Sequence, residues 1–166
     1  MNAFDPLPTL CEKTPLKLLD GVRVLDLTSS VAGPYATLLL ADFGATVVKI
    51  EPPGKGDDVR AWGPPFLDGE SLWYLSVNRN KHSLTLDYSK PQGLELLKRM
   101  VASADVVVVN RTSPIQRKLG IDYASLRQVN SRLIHASVSG FGLDGERSDM
   151  PCYDLIAEGY SGVMDL

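Results

Sequence analysis

The sequence predicts an α/β fold, a Rossmann-like open parallel sheet with flanking helices. Three observations carry this expectation. Between Val22 and Ile50 a β-branched run, a helical run and a second β-branched run follow one another, the layout of a βαβ unit. Asp105-Val-Val-Val-Val109 is a continuous apolar stretch, as expected of a central parallel strand covered on both faces. Strand-like and helix-like stretches keep alternating down the chain, a pattern that builds parallel sheets through right-handed crossovers.

Each element has a local cause. Residues 1–16, with prolines at 6, 8 and 15, read as a flexible leader, and the organised part begins at residue 17. Val22 to Thr28 is the first strand, and Thr28 to Gly33 is a turn. Pro34 suits the first turn of the next helix, where its missing N–H costs nothing. Ala36/Leu40 and Leu39/Phe43 fall four apart on one helical side, and Gly44 stands where a helix end favours left-handed geometry. Ala45 to Ile50 is the second strand.

Residues 51–82 break the rhythm with glycine, proline and charge, and a loop of that length is functional or disordered. Trp62 and Trp73 favour an ordered, partly buried one. Ser83 to Asp87 alternates as a strand. Ser89-Lys-Pro-Gln92 has the pattern of a capping box opening a helix to about Ser103, with Leu94, Leu97 and Val101 on one face. A short helix over Tyr123–Gln128, a strand over Leu133–Ser139, a loop and a helix from Tyr153 complete the series. That last helix carries Leu155, Ile156, Val163, Met164 and Leu166 with nothing after them to cover them, so the natural chain is expected to continue.

Composition narrows the function classes. The chain has 166 residues, 17 Lys+Arg against 20 Asp+Glu and a net charge of −3, a balance that disfavours nucleic acid as a partner. Apolar residues are 44% and charged residues 22%, the proportions of a soluble globular chain. No stretch approaches the roughly 20 apolar residues that span a bilayer, so no membrane partner is expected. Cys11 and Cys152 form neither a disulfide framework nor a metal set. The N-terminus lacks a cationic run followed by an apolar core, which points to a cytoplasmic location and leaves the Asn110-Arg-Thr112 sequon idle.

Several stretches could carry chemistry. The turn Ser29 to Pro34 joins a strand end to a helix N-terminus, where free N–H groups and the helix dipole favour an anion. It could equally be a plain connector or part of a dinucleotide site with Glu51 as the acidic ribose partner, although Gly33 is the only glycine in the turn. In Asn78-Arg-Asn-Lys-His82, Arg79 and Lys81 could bind phosphate, though solvated surface is the commoner meaning of such a run. Lys55 between two glycines reads as a solvated loop lysine, and Asp57/Asp58 with Arg60 as a local ion pair. Ser137 to Gly142 lacks a nucleophile elbow, His82 and His135 share no motif, and no metal-ligand spacing is visible. The residues alone give an α/β domain with an anionic ligand.

Read together, the segments resemble the class III CoA-transferase family, which contains the formyl-CoA and carnitine CoA-transferases. The resemblance runs from about Leu16 and rests on Leu19–Thr28, Ala32-Gly-Pro-Tyr-Ala-Thr37, Leu40–Ala45 and Val48-Lys-Ile-Glu-Pro-Pro-Gly54. It continues through Gly56-Asp-Asp-Val-Arg60, Trp62–Phe66, Leu75–Lys81, Ser137–Gly142 and Tyr153-Asp-Leu-Ile-Ala157. It implies that residues 17–166 are the N-terminal part of the family's large α/β domain, and that the enzyme moves CoA between an acyl-CoA and a carboxylic acid through an aspartyl intermediate. By the family pattern the nucleophilic aspartate lies after Leu166, so this chain alone should not turn over.

The same resemblance places CoA, as a substrate and not a prosthetic group, against Val31 and Ala32 near the thioester and Leu86, Asp87, Tyr88 and Ser89 at the nucleotide end. Asn110, Arg111 and Thr112 follow the inner strand, Lys118 faces phosphate, and Met150 and Tyr153 approach from the last loop. Where the family commonly reads Glu-Asn-aromatic-Arg-Pro-Gly, this chain has Val109-Asn-Arg-Thr-Ser-Pro114, so the local loop is expected to differ. An interlocked homodimer is implied for the full-length protein. Two alternatives remain: an α-methylacyl-CoA racemase-like enzyme, with Asp154 as its only acid/base candidate here, and a non-catalytic CoA-binding fragment.

Overall fold

The computed structural model describes residues 17–165. The expected leader 1–16 and Leu166 lie outside the described residues. Strand β1 (Arg23–Asp26), helix α1 (Ala32–Asp42) and strand β2 (Thr46–Glu51) form the first βαβ unit. A 3₁₀ turn (Asp58–Ala61), a small antiparallel hairpin of β3 (Phe66–Leu67) and β4 (Glu70–Ser71), and helix α2 (Leu72–Asn78) fill the segment that the sequence left irregular. Then come β5 (His82–Thr85), α3 (Pro91–Val101), β6 (Val106–Val109), α4 (Ser113–Leu119), α5 (Tyr123–Leu126), β7 (Ile134–Ser137) and α6 (Asp154–Ser161).

The main sheet has the order β5-β2-β1-β6-β7 and is parallel throughout. β1 is its centre, so the all-valine β6 is an inner strand beside the middle and not the middle itself. Alternate side chains of the inner strands enter two cores. Leu25, Val107 and Val109 pack with Leu97, Val101, Ile121 and Leu126, while Val24, Val47 and Val108 pack with Ala41 and Ala45.

One local expectation is corrected and one helix is added. Ser89 does not cap α3: Lys90 holds the N-cap without a side-chain bond, because Pro91 sets the first helical residue and the Ser89 N–H and hydroxyl both donate to Asp87. Helix α4 was unforeseen; Pro114 at its start and Gly120 in left-handed geometry at its end delimit it. The tryptophans of the hairpin region meet edge to face, with centroids 6.3 Å apart, and both are half-buried, in keeping with an ordered, partly buried segment.

Candidate functional site

Chain order reverses between β1 and β6, so the crevice beyond their carboxyl ends is the switch point where open α/β sheets hold ligands. The β1–α1 turn that borders it is tied down at three successive residues by three separate side chains. Lys49 Nζ donates to the Thr28 carbonyl at 3.0 Å. The Asn110 carboxamide accepts from Ser29 N–H at 3.0 Å and donates to the Ser29 carbonyl at 2.7 Å. Asp57 Oδ1 accepts from Ser30 N–H at 3.0 Å. Ser30 has φ +66°, a left-handed conformation that a non-glycine residue keeps only when its surroundings impose it. Gly33 is required by the same crowding, since a Cβ there would lie 2.5 Å from Thr28 Cβ. Helix α1 follows with Val31 as its N-cap, without a side-chain cap hydrogen bond or an acidic residue in its first turn.

Beneath the turn runs a chain of buried charges. Asp26 accepts from the Thr28 and Thr37 hydroxyls and pairs with Lys81 at 3.0 Å, in a site where the lysine side chain is only 2% exposed. Burial alone would raise the Asp26 pKa, but Lys49, Lys81 and the two hydroxyls hold it below the ordinary carboxylate value. Burial pulls the Lys81 ammonium down to about 8, and Asp26 limits the fall. Lys49 meets Asp57 Oδ2 at 2.7 Å, both side chains 1% exposed. Glu51, at the end of β2, receives Arg60 through Nε and Nη2, at 2.7 and 2.8 Å. Burial raises the Glu51 pKa, but Arg60 and the Asp57 N–H overcome it and bring it to about 2. Tyr74 donates to Glu51 at 3.2 Å while the Arg60 guanidinium stacks 3.7 Å above its ring. Burial, then the Glu51 charge, pushes the Tyr74 hydroxyl upward.

A cleft of about 150 Å³ opens above this network. Its walls come from four strand ends: Leu27, Thr28 and Ser29 after β1, Glu51 to Asp58 in part after β2, Tyr88 after β5 and Arg111 after β6. The Tyr88 pKa is raised by burial and partly restrained by Arg111. Of the residues the sequence nominated, Tyr88 and Arg111 thus meet in one cleft, and Asn110 holds the turn that borders it. Val31 is the N-cap of α1, Ala32 opens that helix exposed, and Thr112 is the N-cap of α4. Leu86 packs on the larger core with its N–H bonded to the Glu51 carbonyl, while Asp87 and Ser89 bond to each other. Lys118, in the last turn of α4, and Met150, Tyr153 and Asp154 are exposed and do not line the cleft.

The buried charges are what sequence reasoning missed. Asp57 and Arg60 are not a local surface pair; each crosses to β2, one to Lys49 and the other to Glu51. Lys81 is interior, whereas its neighbour Arg79 sits on the surface against Asp42. The available signal was the placement of Asp26, Lys49 and Glu51 inside apolar strand runs, where a charge needs a partner. Lys55 keeps to its expected solvated state, 2.6 Å from Asp58, and His135 makes an ordinary structural contact with the Ile121 carbonyl at 2.9 Å. Among the described residues no group of three or more His, Cys, Asp or Glu could hold a metal ion, and no helix is long and apolar enough to cross a membrane.

Residues 19–166 match the profile of CoA-transferase family III. Succinyl-CoA:glutarate CoA-transferase of Mus musculus is 43% identical over 151 residues, covering 91% of this chain and 35% of that protein. Succinate–glutarate CoA-transferase of Agrobacterium fabrum is 46% identical over 154 residues, covering 89% and 38%. Acetyl-CoA:oxalate CoA-transferase of Acetobacter aceti is 41% identical over 158 residues, covering 93% and 40%. A crystal structure of a CAIB/BAIF family protein from Brucella suis superposes with a TM-score of 0.83 at 42% identity, covering 89% of this chain and 40% of that one. The fold is thus an open parallel α/β sheet with a cleft at its switch point, and the chain belongs to CoA-transferase family III. It spans between a third and two fifths of the length of these relatives.

Proposed function

We propose that this chain supplies the CoA-holding part of an enzyme that moves CoA between an acyl-CoA and a carboxylic acid. Membership of the family supports the reaction type, and the observation that carries the site is the cleft in which Arg111 meets Tyr88 beside the uncapped start of α1. Arg111 offers a planar fork to a phosphate, and the first N–H groups of α1 offer a dipole to an anion or a polarised carbonyl. Val31 and Ala32 take the thioester end. Leu86 to Ser89 and Asn110 to Thr112 take the nucleotide end, while Lys118, Met150 and Tyr153, outside the cleft, meet the ligand where it extends beyond it, Lys118 at a phosphate and the other two from the last loop. Similarity to CoA-transferases of glutarate and of oxalate supports a small dicarboxylic acid as the acceptor.

The mechanism proposed for the full-length protein is covalent. An aspartate carboxylate, in the portion of the relatives beyond the matched part, attacks the thioester carbonyl and expels CoA thiolate, leaving a mixed anhydride. The thiolate then attacks the aspartyl carbonyl, releases the first acid and forms an aspartyl-CoA thioester. The acceptor carboxylate attacks this thioester, giving a second anhydride, and the thiolate returns to the acceptor's carbonyl to free the aspartate. The full-length protein is proposed to be a cytoplasmic homodimer, and the present chain to bind CoA without turnover.

Titration calorimetry of CoA into this chain tests the reading. Saturable binding is expected, weakened about tenfold in Arg111→Ala, the loss of one charge-assisted phosphate contact. No binding by the wild-type chain would overturn the proposal.

A further inference from the structure

Asp57 is buried between two walls of the cleft and is bonded to both. Its Oδ1 accepts from Ser30 N–H of the β1–α1 turn at 3.0 Å and from Val59 N–H of its own loop at 3.1 Å. Its N–H donates to Glu51 Oε1 at 2.9 Å, and its Oδ2 meets the Lys49 ammonium, which also holds the Thr28 carbonyl. One carboxylate therefore ties the strained Ser30, the loop carrying Lys55, Gly56 and Asp58, and the end of β2 into a single rigid piece. An ion pair this deep is a poor device for stability, because desolvation offsets most of its attraction. A hydrogen bond that holds a left-handed serine across a ligand cleft has a different use, which is to fix the separation of the walls before the ligand arrives.

We propose that Asp57 is a positioning residue whose Oδ1 sets the width of the switch-point cleft and thereby the affinity for CoA. This rests on the reading of that cleft as the CoA site. The acceptor oxygen does the positioning, and the negative charge serves to neutralise Lys49.

Two double variants separate these roles, since both delete the ion pair together and so avoid leaving Lys49 buried and unpaired. Lys49→Met/Asp57→Asn keeps an oxygen for Ser30 N–H; Lys49→Met/Asp57→Leu removes it. Three quantities are measured on the 166-residue chain: CoA affinity by calorimetry, hydrogen exchange of the Ser30 amide, and the urea midpoint. The Asn variant is expected to bind CoA within about threefold of wild type, and the Leu variant at least about tenfold more weakly. The Ser30 amide is expected to exchange about tenfold faster in the Leu variant alone, with similar urea midpoints for the two. Equal CoA affinities for the two variants would overturn the proposal, as would equal Ser30 exchange. If the wild-type chain bound no CoA, the functional reading would fall and the link to affinity with it, while the exchange comparison would still decide whether Asp57 fixes the turn. Should the Leu variant fail to fold, Ser30 exchange in Lys49→Met/Asp57→Asn decides: protection kept supports the oxygen, protection lost refutes it.

Discussion

Two regions of this chain reverse the usual relation between composition and water. Under the β1–α1 turn, Asp26, Lys49, Glu51, Asp57 and Lys81 are charged and shut away from solvent. In α6 and the turn after it, Leu155, Ile156, Tyr160, Val163 and Met164 are apolar and face outward, and no residue of the helix is buried. The contrast teaches that burial follows partners more than polarity. Each interior charge has an opposite charge or several fixed donors within hydrogen-bond reach, which offsets its desolvation. The side chains of α6 have few apolar neighbours among the described residues, so nothing draws them in; Tyr160 is the exception, meeting Phe141 edge to face at 5.3 Å.

Removing one partner from the buried region should have the largest effect. Asp26→Ala leaves Lys81 with only the Pro34 carbonyl and the Asn78 side chain, and it strips the Thr28 and Thr37 hydroxyls of their acceptor. The expected loss is about 3–5 kcal/mol, the range for an uncompensated buried charge, read from urea unfolding. A loss under about 1 kcal/mol would mean that water already reaches this site in solution.

Next in size is Glu51→Gln, and here pH provides a second readout. The folded-state pKa of Glu51, about 2, lies below its ordinary 4.5, so the group stabilises the fold fully above pH 4.5. That contribution is lost as pH falls from about 4.5 towards 2. Glu51→Gln should cost about 1.5–3 kcal/mol at pH 7, the worth of hydrogen bonds to a charged group. It should also flatten the acid limb of the stability profile across that window. An unchanged acid limb would place the native carboxylate in a far more solvated setting than Arg60 and Tyr74 provide.

Much of the sheet was legible beforehand because its causes are local. Val22 to Ile50 and Asp105 to Val109 announce strands by β-branching, and Gly44, with φ +99°, ends the α1 turn as its sequence position suggests. The site was legible only in part. Tyr88 and Arg111 stand 23 residues apart in numbering (111 − 88), and only the strand order β5-β2-β1-β6 brings their loops to one crevice. The Lys49–Asp57 and Asp26–Lys81 pairs were hidden for the same reason: nothing in a neighbouring-residue pattern says which loop folds back under which turn. Segment 51–82 looked irregular because its hairpin strands are two residues long and α2 is seven, too short for periodicity to register.

The smallest effect is expected in α6, and it decides whether the comparison holds in solution. Leu155 is 64% exposed, so Leu155→Ser removes little buried area. The change in unfolding free energy of this chain should stay within about 0.5 kcal/mol, mostly the lower helix propensity of serine. Tyr160→Ala, by contrast, deletes the ring that meets Phe141 and lies 4.5 Å beneath the Arg147 guanidinium, and should loosen α6 locally, seen as faster amide exchange through that helix. If Leu155→Ser cost more than about 1 kcal/mol, the helix would have to be burying its apolar face, by folding onto the sheet or by self-association. Repeating the measurement at tenfold lower protein concentration separates these, because only self-association makes the cost depend on concentration.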